Sequence, residues 1–262
     1  MLPEFRLRLL PGIAGLLLLA LSALSTAAGD NGPLVVGHTN DYPPLNYMRD
    51  GEMVGIEMDN AREVGRLLGR EVKSVVLPFA ELVAALDSGE VDVVMAGISV
   101  TPERRDMVLF TESFMEVGQM AIILADNAVK FANPRSIYRP GIRIGVEPNT
   151  TGARFARENL VEAKVHFYND SNAAFNALRK NEVDVYLHDA PTSWELSIGR
   201  ENQDMLSLFR PLTQENLAWA VRKDNVVLAG QLNAVMEDLK RTGRLRAIQN
   251  YWIPVKVQLR PQ

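Results

Sequence analysis

The residues best suited to hold something polar fall in one run, Gly97-Ile98-Ser99-Val100-Thr101-Pro102-Glu103-Arg104-Arg105. Gly97 permits close backbone approach, Ser99 and Thr101 offer hydroxyls, and Arg104 carries a planar fork of donors that matches a carboxylate. Thr101-Pro102-Glu103 also reads as a helix start, with an N-cap, a proline at the first helical position and an acid in the first turn. Free backbone N–H groups therefore converge on the same place, and the predicted chemistry is capture of a small carboxylate. A helix start of this kind is common and a first-turn arginine is usually solvated, so the run alone supports no more than half of a site.

Internal repetition supplies the other half. Leu86-Asp87-Ser88-Gly89-Glu90-Val91-Asp92-Val93 is echoed by Leu178-Arg179-Lys180-Asn181-Glu182-Val183-Asp184-Val185, and Leu34-Val35-Val36-Gly37 by Ile142-Arg143-Ile144-Gly145-Val146. Each copy reads as a helix end, a tight turn and a buried strand, so the chain contains two similar α/β lobes. Ligands of open α/β sheets sit beyond the carboxyl ends of the strands. The counterpart of the Gly97–Arg104 segment is then Tyr186-Leu187-His188-Asp189, and that of the Tyr42 loop is Glu147-Pro148-Asn149-Thr150-Thr151-Gly152. Asp189 would face Arg104 across a gap, a carboxylate opposite a guanidinium, which describes a receptor for a zwitterion.

The elements that must position these groups alternate strand and helix. A strand at 34–37 leads into a turn-rich loop through Asn40, Asp41, Tyr42, Pro43 and Pro44. Asp59 is expected to cap a helix whose apolar face is Ala61, Val64, Leu67 and Leu68, stopped by Gly69. Strands are expected at 72–77 and 91–96, with a helix through Leu82 and Leu86 between them. The order implies mainly parallel sheets with helices on both faces. After the second lobe a helix bearing Leu228, Leu232, Val235, Met236 and Leu239 returns to the first, and the segment 244–252 completes its packing.

Composition bounds the function. Of the 262 residues 47% are hydrophobic and 23% charged, which suits one large domain or two smaller lobes. A net charge of -4 without a long basic run argues against nucleic acid or an anionic membrane surface as partner. The absence of cysteine excludes disulfides, thiolate catalysis and cysteine-bound zinc, and His38, His166 and His188 match no metal-ligand spacing. At the N-terminus Arg6 and Arg8 precede an apolar stretch over 9–24 and the small residues Ser25-Thr26-Ala27-Ala28, which predicts a cleaved secretory signal peptide over 1–28. An uncleaved anchor is the alternative, weakened by a short apolar run that contains Pro11 and Gly12.

At this level the chain resembles the bacterial periplasmic amino-acid-binding proteins of ABC transporters, the family 3 solute-binding proteins. The resemblance rests on Tyr42-Pro43-Pro44 with Gly55-Ile56-Glu57-Met58-Asp59, on the characteristic Gly97–Arg104 block, and on Thr150-Thr151-Gly152 and Leu187-His188-Asp189. It implies a two-lobed clamshell with two crossover strands, one lobe formed by 33–122 and 218–262 and the other by 123–217, with crossings near 120–125 and 217–221. It also implies that Arg104 holds the ligand α-carboxylate, helped by Ser99 and by Thr151 and Gly152 with their amides. Asp189 would bind the α-ammonium with the Gly97 carbonyl and the Ser99 hydroxyl, Tyr42 and Phe79 would wall the ligand stem, and Thr39 and His188 would meet its side chain. Thr39 stands where relatives for cationic amino acids carry aspartate, which favours a neutral polar ligand.

The expected partners are that amino acid and a membrane ABC permease, with no cofactor, no metal, a periplasmic location and a monomeric state. Two other classes share the fold. Secreted cyclohexadienyl dehydratases resemble the 151–160 and 165–172 stretches, but they place a catalytic acid where this chain has Thr192. A soluble periplasmic ligand sensor would use the same pocket and pass its signal to a separate membrane protein.

Overall fold

The computed structural model describes residues 32–198, 202–208 and 210–253, so the expected signal peptide and the tail after 253 lie outside the described residues. The chain begins with β1 (Leu34–His38), a meander of β2 (Asp41–Tyr42), β3 (Asn46–Arg49) and β4 (Glu52–Val54), then α1 (Ile56–Leu68), β5 (Val72–Val76), α2 (Leu82–Ser88), β6 (Val93–Val94), α3 (Pro102–Met107) and β7 (Val108–Phe110). After β8 (Met115–Val117) come β9 (Gln119–Leu124), β10 (Arg143–Val146), α4 (Thr151–Asn159), β11 (Lys164–Phe167), α5 (Ser171–Arg179), β12 (Val185–Asp189), α6 (Ala190–Ile198) and β13 (Met205–Ser207). The chain returns through β14 (Glu215–Leu217) to β15 (Ala220–Arg222), α7 (Val226–Arg241) and α8 (Arg244–Trp252).

Two five-stranded sheets result, ordered β5-β1-β6-β15-β7 and β11-β10-β12-β9-β13. In each, three neighbouring strands run parallel and a fourth, β15 or β9, runs against both of its neighbours. Each reversed strand is the first laid down after a crossing between the lobes. Side chains alternate across the first sheet. Val93 and Met95 pack with α1, α7 and α8, whereas Val94 and Ala96 pack with α2 on the opposite face. In the second sheet Val185 and Leu187 pack against Phe155 of α4, and Tyr186 against Phe175 of α5. Burial on both faces is what the near-continuous apolar strands require.

The repeated Glu-Val-Asp-Val has a structural meaning. Asp92 accepts the Val35 N–H at 2.9 Å and Asp184 accepts the Arg143 N–H at 3.0 Å, and each aspartate N–H donates to the carbonyl of the same residue at 2.8 Å. Each aspartate thereby satisfies the first backbone groups of the neighbouring strand. Gly89 and Asn181, just before the repeated glutamate, share the left-handed conformation with φ of 79° and 53°.

Three expectations are corrected. The strand expected over 91–96 is regular only at Val93–Val94, although the Asp92 and Met95 N–H groups still bond across to Val35 and Gly37. Helix α1 starts at Ile56 with Gly55 as N-cap, so Asp59 does not cap it; its carboxylate instead accepts the Trp252 indole N–H at 2.7 Å and ties α8 to α1. Finally, β9 pairs with β12 and β13 along its length, so the chain has left the first sheet before Gln119. The crossings are β8 and β14, which pair with each other, so the first precedes the expected 120–125 and the second ends at Leu217, where the expected 217–221 begins. The apolar run that marked the expected first crossing is the buried sheet strand β9, whereas β8 and β14 are three residues each and carry Glu116, Glu215 and Asn216, too short and polar to signal a strand by periodicity.

Candidate functional site

Strand ends of both sheets meet at a cleft. Thr39 follows β1, Tyr42 ends β2, Phe79 follows β5, and Gly97 to Arg104 lead from β6 into α3; from the other lobe come Thr151 at the start of α4 and His188 and Asp189 at the end of β12. The eight residues named, together with Ser99, line one cavity of about 40 Å³. Gly152 stands just behind it, where a Cβ would lie 2.7 Å from the Gln119 Oε1. The cavity is also lined by Asp41, Gln119, Glu147, Thr150 and Leu187, which were not singled out in the sequence. Glu147 and Thr150 belong to the loop that the repeat pointed to and Asp41 to the Tyr42 loop, so their position was foreshadowed; Gln119, inside an apolar strand, carried no signal.

Arg104 is buried and splits its guanidinium between the lobes. Nη1 donates to the Ser99 carbonyl and Nη2 to the Asn149 carbonyl, both at 2.8 Å, and its carbon lies 5.3 Å from the Phe79 ring centroid. Asn149 presents that carbonyl from a left-handed conformation with φ of 61°. Thr101 caps α3 by accepting the Arg104 N–H at 3.2 Å, which fixes where the arginine leaves the helix. Burial pulls the Arg104 pKa down from its ordinary value while Asp189 and Glu215 pull it up.

Asp189 is buried on the facing wall. It accepts the Tyr42 hydroxyl at 2.5 Å and a hydrogen bond from the Gln119 amide, which also donates to Thr151 at 2.9 Å. Burial raises its pKa to about 6, against the opposing pull of His188 and of Arg104. Arg104 and Asp189 form no ion pair with each other among the described residues; the guanidinium is held by two backbone carbonyls and the carboxylate by Tyr42 and Gln119. His188 accepts the Asp189 N–H at Nδ1 and packs edge-on to Tyr42 at 4.7 Å, and burial lowers its pKa while Asp189 and Asp41 pull it up.

Two roles implied by the resemblance find their groups otherwise engaged. The Ser99 hydroxyl donates to Glu215 of the crossing strand β14 at 2.6 Å, and the Thr39 hydroxyl donates to Asn46 at 3.0 Å. The lobes also touch where the Ser171 N–H donates to Asp41 at 3.0 Å, and where Arg154 pairs with Glu103 at 2.9 Å. On the side of Phe79, Arg104, Thr150 and Thr151 the cleft opens into a groove of about 840 Å³ between α2, α3 and α4. Phe79, Arg104, Thr150 and Thr151 thus stand where the cavity meets the groove.

Gly97 holds this arrangement together through its backbone, with φ of 63°. A Cβ there would come within 2.6 Å of Leu45 Cδ2 and Tyr42 Cε1. Gly97→Ala should therefore push Tyr42 off Asp189 at a cost of about 1–3 kcal/mol from overpacking, with about 1 kcal/mol more from the left-handed backbone. At about 2–4 °C per kcal/mol for a chain of this size, the variant should melt at least 4 °C lower; an unchanged melting temperature would contradict the account.

A family model for bacterial extracellular solute-binding proteins, family 3, matches residues 34–255. The chain belongs to that family. Among family 3 relatives, the L-cystine-binding protein TcyJ of Escherichia coli (strain K12) is 25% identical over 231 residues, 87% of this chain and 85% of that one. Cyclohexadienyl dehydratase of Pseudomonas aeruginosa is 27% identical over 196 residues, 72% of this chain and 73% of its own. Among solved structures, an ancestral arginine-binding protein bound to glutamine superposes with a TM-score of 0.79 at 26% identity, covering 86% of this family 3 chain and 99% of the other. The fold is accordingly the two-lobed α/β clamshell. Among the described residues no helix is long and apolar enough to cross a membrane, and no group of histidine and acidic residues could hold a metal ion.

Proposed function

We propose that this family 3 protein is a periplasmic receptor that holds one α-amino acid between its lobes and delivers it to a membrane ABC permease, as a monomer exported by the 1–28 signal peptide. The observation that carries this reading is that Arg104 and Asp189 line one cleft from opposite lobes without pairing. A free amino acid satisfies both, its carboxylate on the guanidinium fork and its ammonium on the carboxylate, with Tyr42 and Phe79 against the stem. Neither lobe holds both partners, so ligand favours the closed arrangement over the open one. The favoured ligand has a neutral polar side chain: Thr39, not an acid, lines the cavity with its hydroxyl directed to Asn46, and it offers no counter-charge to a side-chain cation.

Thermal shift against a panel of α-amino acids and dicarboxylates tests the reading. A ligand at about 100 times its Kd stabilises by about 2.7 kcal/mol, a rise of about 5–10 °C. At least one α-amino acid should give it and dicarboxylates lacking an amine should not; a panel in which no amino acid moves the melting temperature removes the proposal.

One observation favours the enzymatic alternative. Glu147 lines the same cleft with its pKa raised to about 7, chiefly by burial, a value that suits a general acid. Against it, the acid that dehydratases of this fold carry is here Thr192, whose buried hydroxyl donates to the Pro43 carbonyl at 3.3 Å. Incubation with prephenate should release no phenylpyruvate; sustained release would make the protein an enzyme.

A further inference from the structure

Two polar residues of the crossing region, Thr213 and Glu215, line neither the cavity nor the groove, yet they are bonded to both walls of the cleft. Glu215 is buried on β14, and each of its oxygens has its own donor: the Ser99 hydroxyl reaches Oε2 at 2.6 Å and the Thr213 hydroxyl reaches Oε1 at 2.5 Å. On one side, the Ser99 carbonyl accepts Arg104 Nη1 at 2.8 Å. On the other, the Thr213 hydroxyl oxygen accepts the Gln119 N–H at 2.8 Å, and the Gln119 side-chain amide donates to Asp189 and, at 2.9 Å, to Thr151. One run of hydrogen bonds therefore leads from Arg104 through Ser99, Glu215, Thr213 and Gln119 to Asp189.

The backbone around this run is tightly tied. The Val100 N–H donates to the Asn216 carbonyl at 2.8 Å, the Leu212 N–H to the Gln119 carbonyl at 2.7 Å, and the Ala190 N–H, next to Asp189, to the Gly118 carbonyl at 2.9 Å. A Cβ on Gly118 would lie 2.1 Å from the Thr213 carbonyl oxygen, so the two crossings touch backbone to backbone. Rotation of the lobes about β8 and β14 then falls on the side-chain bonds. A buried carboxylate is costly to keep there, and Glu215 has no ion pair among the described residues. Its charge is felt by Arg104 and by Asp189, and it raises the pKa of both. An apolar residue would avoid the desolvation cost but could not accept two hydroxyls at once, and it is that double acceptance that joins the two walls.

We propose that Glu215 is a positioning residue of the amino-acid site, coupling the Arg104 wall to the Asp189 wall through Ser99 on one oxygen and through Thr213 and Gln119 on the other. The inference rests on the reading that one α-amino acid bridges Arg104 and Asp189. Glu215 holds the Ser99 carbonyl against the guanidinium and, by way of Thr213, the Gln119 amide against the carboxylate, so its loss loosens both anchors of the ligand. Ligand enters the open cleft and is retained by the closed one, and the loss therefore appears as faster dissociation rather than slower association.

Titration calorimetry and stopped-flow kinetics test the coupling, with the proteinogenic α-amino acid, or L-cystine, that binds the unaltered protein most tightly as probe. Glu215→Ala should raise Kd at least about tenfold, with most of the change in the dissociation rate. Thr213→Val removes only the hydroxyl that feeds Oε1 and should raise Kd about threefold to tenfold, whereas Thr213→Ser keeps that hydroxyl and should stay within about twofold. Because Thr213 does not line the cleft, the contrast between valine and serine cannot come from ligand contact. A purely structural role would lower the melting temperature of the variants and leave Kd where it was. If Glu215→Ala does not fold, the Thr213 pair decides. A Kd within about twofold of the unaltered protein in Glu215→Ala or in Thr213→Val, or a rise carried by the association rate alone, would overturn the coupling and leave the amino-acid receptor standing. Failure of every one of these amino acids to bind the unaltered protein would overturn both.

Discussion

Arg104→Ala is expected to abolish the ligand-induced thermal shift. Truncating one partner of a buried, hydrogen-bonded charge pair costs about 2–5 kcal/mol of binding, and among the described residues Arg104 is the sole arginine or lysine on the cavity wall. A loss of about 3 kcal/mol is about a hundredfold in Kd. A ligand present at about 100 times the original Kd then sits near the new Kd and stabilises by only about 0.4 kcal/mol, so a shift of 5–10 °C shrinks to about 1 °C. Arg104→Lys separates charge from geometry: an ammonium keeps the charge but loses the fork, and an intermediate shift is expected. Asp189→Ala should act as strongly from the other lobe, because it removes the only group that both faces Arg104 and accepts the Tyr42 hydroxyl. A full shift retained in both alanine variants would place the ligand elsewhere.

The largest effect on folding is expected from Glu57→Ala. Glu57 is fully buried beneath the site, and its carboxylate accepts the Gly97 N–H at 3.1 Å, the Trp219 indole N–H at 2.9 Å and the Asn60 amide at 3.3 Å. Alanine leaves three buried donors without an acceptor and a cavity beside Trp219, a loss of about 3–5 kcal/mol. The Gly97 turn loses its anchor with them. The pH dependence has a definite sign. Burial raises the Glu57 pKa from its ordinary 4.5 to about 7, against the opposing hydrogen bonds. A raised acid contributes its full stability below the unfolded value and loses it as pH climbs through the folded one, here a loss on the order of 3 kcal/mol between about pH 4.5 and 7. Glu147 and Asp189, raised to about 7 and about 6, act in the same sense. The unaltered protein should therefore melt higher at pH 5 than at pH 8, and the penalty of Glu57→Ala should shrink over the same interval. A penalty that grows with pH, or one below 1 kcal/mol at pH 5, would refute this role.

The energetics of closure are set by few contacts. Arg154–Glu103 is solvent-exposed and contributes little. The buried link from Tyr42 to Asp189 and the Arg104 bond to Asn149 cross the cleft at the point where ligand charge would enter, so the lobes are held by the groups that would hold the ligand. The hinge reports on the same place: Glu215 of β14 takes the Ser99 hydroxyl, joining the crossing strand to the segment that carries Arg104.

The sequence by itself determined the duplicated β-α-β order, the helix start at Thr101, and the placing of Arg104 and Asp189 on one cleft from opposite lobes, because period, caps and repeated turns are local signals that do not depend on the rest of the chain. It did not reveal that Thr39 and Ser99 spend their hydroxyls on Asn46 and Glu215, nor that Gln119 reaches Asp189 and Thr151. Those partners are distant in the chain, and one apolar strand reads like another until the sheet is assembled. Nor could spacing show that Asp41 and Glu147, from different lobes, line one cleft. The displacement of the Glu147 and Asp189 carboxyls to about 7 and about 6 was decided only when the lobes came together, since electrostatic cost depends on burial and neighbours in space rather than on order along the chain.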